Sequence, residues 1–242
     1  MSRVVLVMRT ITTVVVGVLV TIVSAISAMV LARRDPNHPA IERVIDRWSR
    51  AWLRAAGVEL DVRGLENVER SRSYVVVANH LSLLDIMACF LAVPVPIRFL
   101  AKKELFRIPI LAPAMRAVGI VEVDRQARVP IHDQINAQAK QLVANGRSVI
   151  IYPEGTRSRD GRLGAFKKGA FTIAARVGLP ILPVTIHGTW EAWRPGSWLV
   201  RGGPVTVVID QPVETENVTR TDELRDEVRG IIEHRLAELS QS

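Results

Sequence analysis

Asn79-His80-Leu81-Ser82-Leu83-Leu84-Asp85 follows directly on the apolar run Tyr74–Ala78. Its residue types suit acid–base chemistry. The run reads as a strand and the residues from Ser82 as a helix, so His80 falls where one ends and the other begins. Asp85 lies in the first helical turn, where the helix dipole favours its ionised form. From there it can reach back to the imidazole. A carboxylate on one ring nitrogen fixes the tautomer and leaves the other nitrogen to accept a proton. That is the base–orienter half of a serine-hydrolase triad. The chain has no Gly-x-Ser-x-Gly elbow to supply the nucleophile. The activated hydroxyl then belongs to a substrate. Two other readings of this stretch stay open. Ser82 and Asp85 can be an ordinary capping box beside a loop histidine, or Ser82 can itself be the nucleophile of a hydrolase that passes through an acyl-enzyme.

A second cluster, Tyr152-Pro153-Glu154-Gly155-Thr156-Arg157-Ser158, again follows an apolar strand-like run. Gly155 permits close backbone approach, and its amide with that of Thr156 suits an oxyanion or phosphate. Arg157 offers a planar fork for phosphate. Phe166-Lys167-Lys168-Gly169 adds cations at a helix start. Taken alone, this is a basic loop with a glycine turn. Cys89, the single cysteine, reads as a small buried apolar residue rather than a nucleophile. The five histidines are scattered without ligand spacing, so no metal is expected.

The elements that must position these residues alternate. Strands are expected at Val58–Val62, Tyr74–Ala78, Ile97–Ala101, Gly119–Val123, Ser148–Tyr152, Ile181–Ile186 and Val205–Ile209. Helices are expected from Ser82 to Ala92, from Pro130 to Ala144, from Lys168 to Val177 and from Thr221 to Leu239. The alternation predicts an α/β domain with a largely buried sheet over residues 58–242, behind a membrane-anchoring helical segment over residues 1–57.

That leading segment has two parts. The 23 residues Thr10–Ala32 carry no charge. As a helix they reach roughly 34 Å, against a hydrocarbon core of about 30 Å. Arginines are denser after the segment than before it, which places the remainder on the cytoplasmic side of a cell membrane. A cleaved signal peptide and a helix dipping into one leaflet are the competing readings. From Ala40 to Ala56, Ile41, Val44, Ile45, Trp48, Trp52 and Ala55 share one helical face and Arg43, Arg47, Arg50 and Arg54 the other. This suits either the lipid headgroup layer or packing on the domain core.

The 242-residue chain has a formal net charge of +8. That balance fits an anionic partner, but the basic residues are dispersed and match no nucleic-acid-binding motif. Asn217-Val218-Thr219 matches a glycosylation sequon by chance if the domain is cytoplasmic. Trp190, Trp193 and Trp198 cluster without a role that the sequence assigns.

Four stretches together resemble the glycerolipid acyltransferases related to 1-acyl-glycerol-3-phosphate acyltransferase. They are Asn79-His80-x4-Asp85; Lys102-x-Glu104-Leu105-Phe106 with Gly119-x4-Asp124-Arg125; Tyr152-Pro153-Glu154-Gly155-Thr156-Arg157-Ser158; and Leu179-Pro180-Ile181-Leu182-Pro183-Val184. The resemblance implies a mixed sheet flanked by helices and direct acyl transfer to lysophosphatidate from acyl-coenzyme A or acyl carrier protein, without a cofactor. It implies His80 as base and Asp85 as its partner. Lys102, Arg125, Glu154, Gly155, Thr156 and Arg157 would then bind substrate. Arg157, helped by Lys102 and Arg125, would hold the phosphate, and Glu154 would contact the glycerol or brace Arg157. Glycerol-3-phosphate, another lysophospholipid or a lyso-aminolipid remain alternative acceptors, and oligomeric state is silent.

Overall fold

The structure, a computed structural model, describes residues 2–123, 131–216 and 220–241; the side chains of Lys102 and residues 131–137 lie outside that description. The centre of the fold is β2 (Val75–Ala78), all four residues of which are buried. Successive side chains of a strand point to opposite faces. Val75 and Val77 therefore join one core, while Val76 and Ala78 join the other. A strand covered on both faces reads as an unbroken apolar run, and this one does.

Six more strands complete the sheet: β1 (Val58–Arg63), β3 (Ile97–Lys102), β4 (Val121–Val123), β5 (Ser148–Ile151), β6 (Ile181–His187) and β7 (Gly203–Ile209). Their order is β1-β7-β6-β2-β5-β3-β4. The strands β6, β2, β5, β3 and β4 run parallel, whereas β7 is antiparallel to β6 and parallel to β1. The sheet is mixed and flanked by helices, as expected. One face is covered by α2 (Ala40–Ala56) and α3 (Leu84–Ala92), which contribute Leu53, Ala56, Leu84, Met87 and Ala88. The other is covered by α5 (Ile131–Ala144), α6 (Gly169–Val177) and α8 (Thr221–Leu239), with Leu142, Phe171, Ala174, Leu224, Val228 and Ile232 inward. The four-residue spacing of Leu224, Val228 and Ile232 keeps one stripe of α8 on the sheet.

The apolar N-terminal helix, α1 (Arg3–Arg34), is longer than the uncharged run that announced it. It packs antiparallel on α2. Thr13 Oγ1 donates to the Ala55 carbonyl at 2.8 Å, and the Trp52 and Trp48 indoles donate to Thr21 Oγ1 at 3.2 and 2.9 Å. Gly17 makes the close approach possible, since a Cβ there would lie 2.3 Å from the Trp52 ring. Of the two readings of α2, packing on the core is the observed one. Ile41, Ile45, Ser49, Leu53 and Ala56 are buried and Arg43, Arg47, Arg50 and Arg54 exposed. The tryptophans are half-buried against α1 instead of facing outward, because a hydroxyl on α1 takes their N–H groups.

Two elements were not legible in the sequence: α4 (Leu111–Val118) and the one-turn α7 (Thr189–Ala192). A 3-10 turn, Lys103–Arg107, leads into α4. The helix expected from Ser82 begins at Leu84, and the strand expected from Gly119 at Val121. The sequon lies outside the described residues.

The far end of the α1–α2 hairpin is fixed by a buried charge. Arg98, on β3, is fully buried and bonds the Glu42 carboxylate of α2 and the carbonyls of Ile97 and Val118. Beside it Arg147 donates to the Pro36 carbonyl at 3.1 Å. Burial, and then the neighbouring Arg98 charge, lower the pKa of Arg147 from its ordinary value. Removing a partner from a buried charge leaves it uncompensated. Glu42→Ala is expected to cost about 1–3 kcal/mol of stability, because Glu42 itself is partly exposed. The exposed neighbour substitution Arg43→Ala should change stability by no more than about 0.5 kcal/mol. Thermal unfolding of the two variants in detergent checks the difference.

Candidate active site

Five parallel strands end on the same edge of the sheet, and the loops that leave them carry the motifs. Beyond Ala78, Asn79 extends the β2–β6 pairing with its side chain. Its Nδ2 donates to the Ile186 carbonyl at 2.9 Å and its Oδ1 accepts from the Ile186 amide at 2.8 Å. Asn79 is fully buried, so His80 leaves the strand from a fixed point. The sequence quoted Asn79 without giving it this role.

The His80–Asp85 pair expected from spacing is formed. Asp85 Oδ2 lies 2.8 Å from His80 Nδ1 and also accepts the amides of Leu81 and Ser82 at 2.7 and 2.8 Å. Asp85 is fully buried and the His80 side chain is 16 % exposed. With Nδ1–H directed at the carboxylate, Nε2 holds the free lone pair. The imidazole stacks on Tyr152, the residue after β5, with ring centroids 3.9 Å apart and planes 8° from parallel. The Tyr152 hydroxyl is 3.8 Å from Cys89 Sγ. Burial pushes both the phenol and the thiol well above their usual pKa values, so Cys89 is the inert core residue expected.

Ser82 does not face the imidazole as a nucleophile. It is fully buried, its Oγ donates to the Trp193 carbonyl at 2.7 Å, and it accepts from the Leu84 amide at 3.3 Å. It bonds the chain just ahead of α3 and tethers it to the Trp193 loop. This geometry opposes the hydrolase reading, since the hydroxyl proton is already committed.

Glu154 is corrected in role. Its Oε1 accepts the His80 amide at 2.7 Å and its Oε2 the Gly164 amide at 2.8 Å. It is only 7 % exposed. Both oxygens brace backbone, one of them the His80 amide. Burial raises its carboxyl above the usual range, and the two backbone N–H groups pull it back. The Ser158 amide donates to the His80 carbonyl at 2.8 Å, so the His80 peptide is gripped from both sides by this loop.

Gly155 is corrected too. Its φ is +73°, and its amide closes the turn onto the Tyr152 carbonyl at 3.0 Å instead of pointing at a substrate. A Cβ at Gly155 would lie 2.7 Å from Lys167 Nζ, which places that ammonium against the turn. The sequence signals Lys167 only through the cation pair before Gly169. Its neighbour Lys168 turns away to Asp222, 2.8 Å distant. Thr156 and Arg157 are exposed. Arg157 lines a cleft of about 90 Å³ with Leu83, Trp193, Arg194, Gly196 and Ser197. Arg194 lies 3.9 Å over the Trp190 ring, so two guanidiniums meet at this cleft. Lys102 ends β3 on the same edge, and Arg125 lies outside the described residues. Among the described residues no cluster of three or more metal-ligating side chains is present. The arrangement is a histidine–aspartate pair with a cleft nearby that Arg157 and Arg194 line.

A family model described as Acyltransferase matches residues 59–187. The chain is 41 % identical over 174 residues to the chloroplastic 1-acyl-sn-glycerol-3-phosphate acyltransferase BAT2 of Brassica napus, which covers 71 % of this chain and 49 % of that protein. It is 34 % identical over 140 residues to the 1-acyl-sn-glycerol-3-phosphate acyltransferase of Borreliella burgdorferi, covering 57 % and 54 %. It spans about half the length of these curated relatives. The crystal structure of the 1-acyl-sn-glycerophosphate (LPA) acyltransferase PlsC from Thermotoga maritima superposes with a TM-score of 0.88 at 28 % identity, over 100 % of this chain and 99 % of that one.

The brace at Glu154 makes a sharp prediction. A glutamine of the same shape offers one acceptor and one donor where two amides must both be accepted. Glu154→Gln should therefore lose about 1–3 kcal/mol of stability. A lowered thermal midpoint for the purified variant is the measurement.

Proposed function

The chain belongs to the Acyltransferase family, and from that premise we propose that it transfers a fatty acyl group from an acyl thioester to the sn-2 hydroxyl of 1-acyl-glycerol-3-phosphate, forming phosphatidate. The observation that carries the reading is the His80–Asp85 pair, 2.8 Å apart, beside a serine whose hydroxyl is already committed. A base with no protein nucleophile at hand suits direct attack by a substrate hydroxyl.

Nε2 of His80 takes the proton of the acceptor hydroxyl as its oxygen attacks the thioester carbonyl. Asp85 holds the imidazole in the productive tautomer and stabilises the imidazolium. The tetrahedral intermediate collapses with expulsion of the thiolate, which recovers the proton from the imidazolium. With the Gly155 amide engaged in its turn, the Thr156 amide is the remaining donor of that pair for the oxyanion. Arg157, with Lys102 and Arg125, holds the acceptor phosphate, and Lys167 adds positive charge beside the turn. The donor is acyl-coenzyme A or acyl carrier protein, and no metal or cofactor takes part. Two substrates held in line supply much of the rate.

Membrane attachment belongs to the same reading. The helix α1 is long and apolar enough to cross a membrane. Yet it is tied to the domain along its length, from the Thr10 hydroxyl that accepts the Val200 amide at 2.9 Å to Pro36 just past its end, bonded by Arg147. These ties support a helix that stays on the domain. It lies in one leaflet, with Met8, Ile11, Val15, Val18, Leu19, Ile22 and Val23 in lipid. The arginines around it favour the cytoplasmic leaflet of the cell membrane.

Acyl transfer from acyl-coenzyme A to lysophosphatidate, measured in detergent, tests the activity. His80→Ala should lower the rate by roughly 10²–10⁴-fold. Ser82→Ala should retain turnover while losing about 1–3 kcal/mol of stability, because the buried Trp193 carbonyl is left without its donor. A covalent acyl-enzyme that vanishes in Ser82→Ala would overturn direct transfer. Wild-type protein that fails with lysophosphatidate under both donors, but acylates glycerol-3-phosphate, another lysophospholipid or a lyso-aminolipid, would reassign the acceptor.

A further inference from the structure

Outside α1, the exposed large apolar side chains among the described residues are Leu65, Leu83, Trp198 and a trio packed into six positions: Leu105, Ile108 and Ile110. The trio is 41, 45 and 48 % exposed. Its setting is built rather than loose. Phe106, between the first two, is buried on Ala112 and Met115 in a small core of its own, and the Arg116 guanidinium lies 5.2 Å over its ring. The base of the turn is anchored while the aliphatic tips point away from it.

Ile110 adds a second, independent observation. Its φ is +68° and ψ −47°, a conformation that β-branched residues avoid. The Leu111 amide bonds the Pro109 carbonyl at 2.8 Å, closing a strained γ-turn around it. The side chain so placed is not used for packing, because it is exposed. Backbone strain that serves no core contact points to a function for the exposed tip. Arg107, exposed, places positive charge between Leu105 and Ile108. The helix α4, which follows, packs along α1. The turn leaves β3 at the same edge of the sheet that carries the His80 loop.

We propose that Leu105, Ile108 and Ile110 form a second membrane-inserting element, which holds the catalytic edge of the sheet against the lipid surface beside α1. The occupant is a bilayer with anionic headgroups. Aliphatic tips enter the acyl boundary while Arg107 meets phosphate. The inference rests on the reading of α1 as a membrane helix.

The test uses full-length protein and vesicles of phosphatidylcholine with phosphatidylglycerol. An environment-sensitive fluorophore is attached at Ile108→Cys, at Val14→Cys on α1, and at His234→Cys on α8 over the opposite face of the sheet. Cys89, fully buried, stays unlabelled. The expected result is a blue shift and quenching by lipid-borne nitroxides at 108 and 14, with neither at 234. A label at 108 that stays in water while the one at 14 is immersed overturns the proposal and leaves the membrane reading of α1 intact. Water at both positions overturns the two together. A blue shift at 108 that follows protein concentration without vesicles overturns it in favour of contact between copies. Ile110→Gly separates function from folding. Glycine relieves the positive φ, so the thermal midpoint should rise while partition into vesicles falls severalfold. Unchanged partition in that variant also overturns the proposal.

Discussion

Asp85 is a carboxylate with no solvent around it, and a buried carboxylate is tolerable only where donors surround it. Three converge on a single oxygen: the imidazole of His80 and the amides of Leu81 and Ser82. Hydrogen bonds to charged groups contribute about 1.5–3 kcal/mol each. Together they offset the desolvation and settle three things at once. They fix where α3 starts, how the loop after β2 bends, and which imidazole nitrogen is left for chemistry. Its other oxygen, Oδ1, is buried without a partner among the described residues. Orientation of the base and local stability are thus the same interaction.

Around that pair the edge of the sheet is pre-organised by groups with no chemical role of their own. Asn79 fixes the strand end, while Glu154 and Ser158 hold the two sides of the His80 peptide. The imidazole has Tyr152 flat against it. An imidazole held on every side in this way has little freedom left to reorient. The loop that supplies these braces also carries Arg157. Holding the His80 peptide and leaving the Arg157 cation exposed are therefore features of one segment, set by the glycine turn at Gly155.

The apolar helix is mechanically continuous with this edge. Thr21 on α1 accepts both indoles of α2, and Trp52 stacks on Trp193 with centroids 6.4 Å apart. The Trp193 carbonyl receives the Ser82 hydroxyl. Close-packed interiors transmit displacement poorly as slack and well as rigid-body position. The exposed apolar surface of α1 is consequently held at a defined position relative to His80.

The local pattern of the chain was enough for the alternating elements, the apolar helix and the His80–Asp85 pair. Strand period, helix stripe and five-residue spacing are short-range quantities, and each is written within a few neighbouring residues. Cys89 as inert core was legible for the same reason: it sits on the apolar stripe of one helix. Roles that depend on distant partners were not legible. Glu154 looks like a free acid in sequence and becomes a brace only because β5 lies beside β2, which brings His80 within 2.7 Å across 74 positions. The Gly155 amide looked available until its turn closed, and Lys167 was hidden because its neighbour Lys168 carries the same charge in the opposite direction. The same limit applied to α2, whose tryptophans suited lipid or core equally until α1 supplied a hydroxyl. The sequence by itself determined which residues had the chemistry and which elements would carry them, because both follow from local pattern. Tertiary structure alone decided which of those groups remained free to act, because that depends on which donors and acceptors the fold had already paired.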